Sequence, residues 1–139
     1  MTVSQYYTES AGSNRIRLVI IVPLYKHSGL VWEALATSLH QKDTSDFAIV
    51  LIKDGCPLSS TQATGLAFAN INSTIPIRYF RQKNKGLSGA RNTGVKIALQ
   101  EFPDLEALYF LDADNRLSDV SVRNMLKALD QYPAVDWFY

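Results

Sequence analysis

Apolar residues fall in short continuous blocks along this chain, separated by stretches with a three-to-four-residue period. Residues 16–22 form a β-branched and leucine run, interrupted only by Arg17 and ended by Pro23. Such a run is too short for a helix of ordinary length and shows no polar alternation. It predicts a strand covered on both faces, as in a parallel sheet. Ser28 is placed to cap a helix reaching about Gln41, with Leu30, Val31, Ala34, Leu35, Ser38 and Leu39 on one stripe. A second buried strand is predicted over 47–52, closed by Asp54-Gly55 and Pro57. A helix over about 59–71 follows, starting in a Ser-Ser-Thr cluster. A third strand covers 75–81, with Pro76 where a strand tolerates it. Residues 86–101 read as a helix with a small-residue face of Ala90, Gly94, Ile97 and Ala98, stopped by Pro103. The fourth strand is 105–111. Ser118 or Asp119 is expected to cap a last helix through Asp130, with Val122, Met125, Leu126 and Leu129 as its apolar stripe. Residues 134–139 begin a further strand.

The alternation of strand and helix predicts an α/β fold with a mainly parallel sheet. Right-handed crossovers would put helices on both faces. Residues 1–14 show neither period and read as a flexible arm, leaving 15–139 as one domain. The last strand breaks off at Trp137, Phe138 and Tyr139. Aromatic edges of that kind are a liability, so the domain is expected to be incomplete at its C-terminus. Self-association through that C-terminal edge is expected with it.

Composition narrows the function. The 139 residues suit a single domain. Hydrophobic residues at 47% and charged residues at 19% exclude wholesale disorder. A net charge of +1 argues against a nucleic-acid partner held by charge. Cys56 is the single cysteine, so an internal disulfide and a thiolate metal cluster are excluded. No apolar run approaches the ~20 residues of a membrane span, and the polar start lacks a signal pattern. The expected compartment is the cytoplasm, with peripheral membrane attachment left open.

Ligands of open α/β sheets bind outside the carboxyl ends of the strands. Four polar clusters stand at those ends: Pro23-Leu24-Tyr25-Lys26, Asp54-Gly55, Asn84-Lys85-Gly86 and Asp112-Ala113-Asp114. The paired carboxylates of the last cluster are hard oxygen ligands suited to Mg or Mn shared with substrate phosphates. Read alone, they are also an ordinary acidic turn before a helix. The stretch from Asn84 to Gly94 places glycines, Lys85 and Arg91 at a helix start, where an anion is favoured. Its small residues serve equally to let the helix lie close to the sheet. Asp54 can accept a uracil imide N–H or ribose hydroxyls, or can simply be a turn aspartate. Tyr25 can stack on a base or fill a strand edge. His27 and His40 have no ligand-spaced partners, Trp32 reads as packing, and Tyr79, Phe80, Tyr109 and Phe110 read mostly as core.

In this order, the clusters resemble the N-terminal, nucleotide-sugar-binding half of a family 2 glycosyltransferase of the Rossmann-like GT-A fold. The family pattern Asn-x-Gly-x-x-x-Ala-Arg-Asn-x-Gly is matched at every fixed position from Asn84 to Gly94. Departures are Lys26 for an Asn, Lys53 for the first Asp of an Asp-Asp-Gly-Ser motif, and Cys56-Pro57 for its Ser. The resemblance implies a transferase that moves a sugar, with inversion, from a nucleoside-diphosphate sugar to an acceptor. UDP-sugar is the commonest donor of such enzymes, and the acceptor is a saccharide, a lipid-linked group or a protein. It implies nucleotide-sugar contacts at Pro23, Tyr25, Asp54, Lys85, Gly86, Arg91, Asp112 and Ala113. Mn or Mg would be held by Asp114 with Asp112, and the general base is expected beyond Tyr139.

The competing reading is a non-catalytic nucleotide- or metal-binding α/β module. A receiver-like domain wants carboxylates after the first strand, where this chain has Pro23-Leu24-Tyr25-Lys26. A nucleotidyltransferase wants a Gly-rich basic loop there, and only Gly29 is present.

Overall fold

Runs of branched side chains become the central strands. The computed structural model describes residues 4–7, 15–24, 28–55, 74–83 and 86–136. The strands are β1 (Ser4–Tyr7), β2 (Leu18–Leu24), β3 (Phe47–Asp54), β4 (Ile77–Gln82) and β5 (Ala107–Phe110). The described helices are α1 (Ser28–Leu39), α2 (Gly86–Glu101) and α3 (Ser121–Gln131). The sheet order is β1-β4-β3-β2-β5. Strands β4, β3, β2 and β5 are mutually parallel, and β1 joins β4 antiparallel. The predicted α/β class with a mainly parallel sheet is therefore what the chain forms. The helix expected over 59–71 lies outside the described residues.

Period-two alternation divides the core. Leu18, Ile20, Val22, Phe47, Ile49, Leu51, Ile77 and Tyr79 pack with Ala34 and Leu35 of α1 and with Val122 and Leu126 of α3. The intervening residues Val19, Ile21, Ala48, Val50, Ile52 and Phe80 pack against Ala90, Ile97 and Ala98 of α2. Helices thus cover both faces, and the stripes read from the sequence for α2 and α3 are the ones that pack. Gly94 sets how closely α2 approaches: a Cβ there would lie 2.5 Å from Ile21 Cγ2.

Five expectations are corrected. The arm over 1–14 contains strand β1, whose Ser4 and Tyr7 are in register with Arg81 and Arg78. An open β4 edge needs a partner, and no local pattern in the arm announces one. Pro23 does not end β2, which continues to Leu24 with Pro23 opposite Ile52. The Ile21 carbonyl accepts from Leu111 N–H, so odd residues of β2 turn their peptide groups toward β5. The β5 ladder stops at Phe110, and the missing Pro23 N–H falls beyond it. Residues 134–136, expected to open a strand, form a turn and a bend, with Val135 N–H bonded to Tyr132 O. Residues 137–139 lie outside the described residues. Phe110, read with the core aromatics, is 38% exposed and is not core.

The fifth correction concerns the start of α3. Neither Ser118 nor Asp119 caps it. Ser118 Oγ bonds Ser121 Oγ instead, and Asp119 pairs with Lys42. The Val122 N–H donates to Gln41 Oε1 at 2.9 Å, so a side chain following α1 caps α3. Gln41 Nε2 donates to the Thr37 and Ser118 carbonyls, and Thr37 Oγ1 accepts from Leu117 N–H at 3.1 Å. These bonds fix the loop between β5 and α3. At the opposite rim, Arg17 joins Glu106 and Asp130, tying the entries of β2 and β5 to α3.

Candidate functional site

Parallel strands end on one rim. Leu24, Asp54 and Gln82 are the last residues of β2, β3 and β4, and Asp112 lies two residues past β5. The polar clusters singled out in the sequence are those that follow these strand ends. Tyr25, Lys26, Asn84, Lys85 and Cys56 lie outside the described residues. Pro23 is buried within β2. Gly86 opens α2 with φ of +76°, a value that favours glycine. A Cβ there would meet nothing within 4 Å, so Gly86 is required by its turn rather than by crowding.

Asp54 is only 4% exposed. It shares the face of Ile52, because strand side chains alternate, and that is the α2 face. Its register partner on β4 is Gln82. Gln82 Nε2 donates to Asp54 Oδ1 at 2.9 Å, and Gln82 Oε1 accepts the Thr93 hydroxyl at 2.6 Å. Gln82 and Thr93 are 6% and 9% exposed. Lys53, also buried, turns to the other face with the odd residues of β3. Asp54 is therefore seated by β4 and α2, and neither Gln82 nor Thr93 was singled out from the sequence. The signal was present: Gln82 follows Phe80 by two, and Thr93 lies between Ala90 and Ile97 on the buried stripe of α2.

Arg91 and Asp112 form the second centre. Arg91 Nη2 donates to Asp112 Oδ1 at 2.8 Å, with both side chains partly exposed. The Arg91 guanidinium carbon lies 5.7 Å from the Phe110 ring centroid. Arg91 Nε is buried without a hydrogen-bond partner among the described residues. Ala113 is buried in the core with Leu111 and Leu117, while Asp114 is exposed. Asp112 O accepts the Asn115 N–H at 2.9 Å, so the Asp-Ala-Asp segment is a turn pinned by its alanine. Arg116 pairs with Glu33 and fixes the far side of this turn to α1.

Residues 19–138 match the sequence model for glycosyl transferase family 2. The chain belongs to glycosyl transferase family 2. It is 32% identical over 112 residues to the uncharacterized glycosyltransferase EpsJ of Bacillus subtilis (strain 168), covering 81% of this chain and 30% of that protein. It is 31% identical over 121 residues to the succinoglycan biosynthesis protein ExoW of Rhizobium meliloti (strain 1021), covering 85% of this chain and 35% of that one. The chain thus spans about a third of the length of these curated relatives. Among solved structures, S. aureus TarS 1-349 superposes with a TM-score of 0.67 at 19% identity, covering 85% of this chain and 33% of that one. TarS 1-349 in complex with UDP-GlcNAc gives 0.65 at 19% identity, over 85% of this chain and 32% of that one. The family 2 chain has the GT-A fold anticipated from its motifs. Among the described residues, no helix is long and apolar enough to cross a membrane.

Proposed function

We propose that this chain is the donor-binding part of a glycosyltransferase that takes a nucleoside-diphosphate sugar, UDP-sugar first among them. The observation that carries this reading is the Arg91–Asp112 pair, set beside exposed Asp114 at the carboxyl rim of a family 2 sheet. It puts a cation suited to a diphosphate next to two carboxylates suited to a divalent metal. The solved TarS complexes with UDP and UDP-GlcNAc support the choice of donor.

In this reading Asp54 accepts from the uracil imide or the ribose, and Tyr25 stacks on the base. Pro23, buried near the end of β2, belongs to the same nucleotide-sugar contact region in this reading. Lys85, the Gly86 backbone and Arg91 take the diphosphate, where a cation and a helix start favour negative charge. Asp112 and the Ala113 backbone face the ribose. Asp114, with Asp112, holds Mn or Mg. The donor set fits such a cation, because both groups are hard oxygens. Among the described residues no group of three or more His, Cys, Asp or Glu could hold a metal. Donor phosphates and water would therefore complete its shell. When bound, the cation supplies charge neutralisation to the departing nucleoside diphosphate. Transfer to the acceptor with inversion would also need a general base, a role this reading gives to none of these residues.

Thermal unfolding tests the reading. UDP with Mn²⁺ should raise the melting temperature, since a ligand at about 100 times its Kd adds about 2.7 kcal/mol to the folded state. An unchanged melt over a wide UDP range contradicts it.

A further inference from the structure

We infer that Gln82 and Thr93 are positioning residues that aim the Asp54 carboxylate, and that they set the discrimination between uracil and cytosine. The inference rests on the proposed role of Asp54 as the base contact and deepens it.

The chain Asp54–Gln82–Thr93 has only one favourable direction. An ionised carboxylate accepts and cannot donate, so Gln82 must turn its amide nitrogen toward Asp54, as the 2.9 Å contact requires. Its oxygen then faces Thr93, and the hydroxyl must donate to it. The hydroxyl has two acceptors in reach, Gln82 Oε1 at 2.6 Å and the Gly89 carbonyl at 3.0 Å. The shorter bond holds the amide in this orientation. A flipped amide would point its oxygen at the carboxylate, and both would be acceptors in a buried setting.

This orientation matters for the base. Uracil presents an N3–H donor, whereas cytosine presents a lone pair at the same position. A carboxylate held still beside that position rewards the first and repels the second. A carboxylate free to rotate does so less, because it can swing away from cytosine at little cost. All three side chains are nine-tenths or more buried, so water cannot replace a lost partner without opening the packing. Thr93 lies two residues after Arg91 on α2. The same helix therefore carries the support for the base contact and the cation proposed for the diphosphate.

The experiment is calorimetric titration of UDP and CDP, with Mn²⁺ present, into the unmutated chain and into Asp54→Ala, Gln82→Ala, Thr93→Val and Thr93→Ser. The quantity read is the ratio of the CDP and UDP dissociation constants. Asp54→Ala should collapse the ratio. Thr93→Val keeps the side-chain shape and removes the donor, and it should lower the ratio by up to about tenfold, the upper scale of one neutral hydrogen bond. Gln82→Ala should do at least as much, and Thr93→Ser should restore the ratio. A purely structural loss would weaken UDP and CDP by the same factor and leave the ratio unchanged. That outcome in Thr93→Val, with Asp54→Ala still collapsing the ratio, overturns the inference and spares the proposed function. No UDP binding by the unmutated chain, or an Asp54→Ala ratio equal to the unmutated one, overturns both.

Discussion

Gln41 Oε1 accepts the backbone N–H of Val122, 81 positions away in the chain, at 2.9 Å. A helix start normally takes its cap from the residue just before it. Here α3 takes it from the residue that follows α1, and the same amide donates to the Thr37 and Ser118 carbonyls. Gln41→Ala removes all three bonds at a part-buried site. It is expected to cost about 1–3 kcal/mol, read as a lower urea midpoint with an unchanged slope. A midpoint equal to the unmutated chain would show that water replaces the amide without loss.

Gly94→Ala tests the seating of α2. The exchange favours the helix by about 1 kcal/mol in propensity. Against that, the added methyl meets Ile21 Cγ2 at 2.5 Å on a fully buried strand residue. Overpacking of this kind costs about 1–3 kcal/mol, so the net effect is destabilising. The cost of Gly94→Ala should change little in an Ile21→Val background, which keeps Cγ2, and should shrink in an Ile21→Ala background, read as a double-mutant cycle.

The two cases differ in how far the sequence foretold them. The small-residue stripe of α2 is local, and the 86–101 span read from Gly86, Pro103 and the stripe is the span that forms. The polar clusters at the strand ends were legible for the same reason, since parallel strands must end on one rim. The cap of α3 was not legible, because Ser118 and Asp119 stand in the usual place and only the folded chain brings Gln41 nearer. The arm strand β1 was missed because its reason to exist is the open edge of β4, not its own pattern. Gln82 and Thr93 were overlooked for a related reason. Each is an ordinary polar residue until the β3–β4 register sets Gln82 beside Asp54.

Acid should loosen the rim opposite the site. Hydrogen bonding from Arg17 holds the Glu106 carboxyl below its ordinary value of 4.5, against the smaller opposing effect of burial. A folded-state value below the unfolded one means that the stabilisation is complete above about that pH. It is lost as the pH falls through the depressed folded value. Melting curves of the unmutated chain and Glu106→Gln should therefore differ near about pH 7 and converge in acid. A gap that persists well below 4.5 would assign the loss to packing rather than charge.

The two carboxylates of the Asp-Ala-Asp turn should behave differently. Asp114 is exposed, while Asp112 is engaged by Arg91. Asp114→Ala is expected to abolish the Mn²⁺ dependence of UDP binding while leaving the metal-free affinity in place. Asp112→Ala frees Arg91 for the diphosphate, so part of the lost affinity returns and the net weakening is smaller. Equal losses in both variants, measured by UDP titration with and without Mn²⁺, would contradict this division of roles.

The central claim is that the carboxyl rim of this family 2 chain binds a nucleoside diphosphate together with a divalent cation. Calorimetric titration of UDP into the unmutated chain, with Mn²⁺ and then with excess EDTA, tests it most directly. The account predicts saturable binding at one site with Mn²⁺ and an affinity at least about tenfold lower in EDTA, a difference of about 1.4 kcal/mol. Absence of saturable UDP binding by a folded sample, or the same affinity with and without the metal, would contradict it.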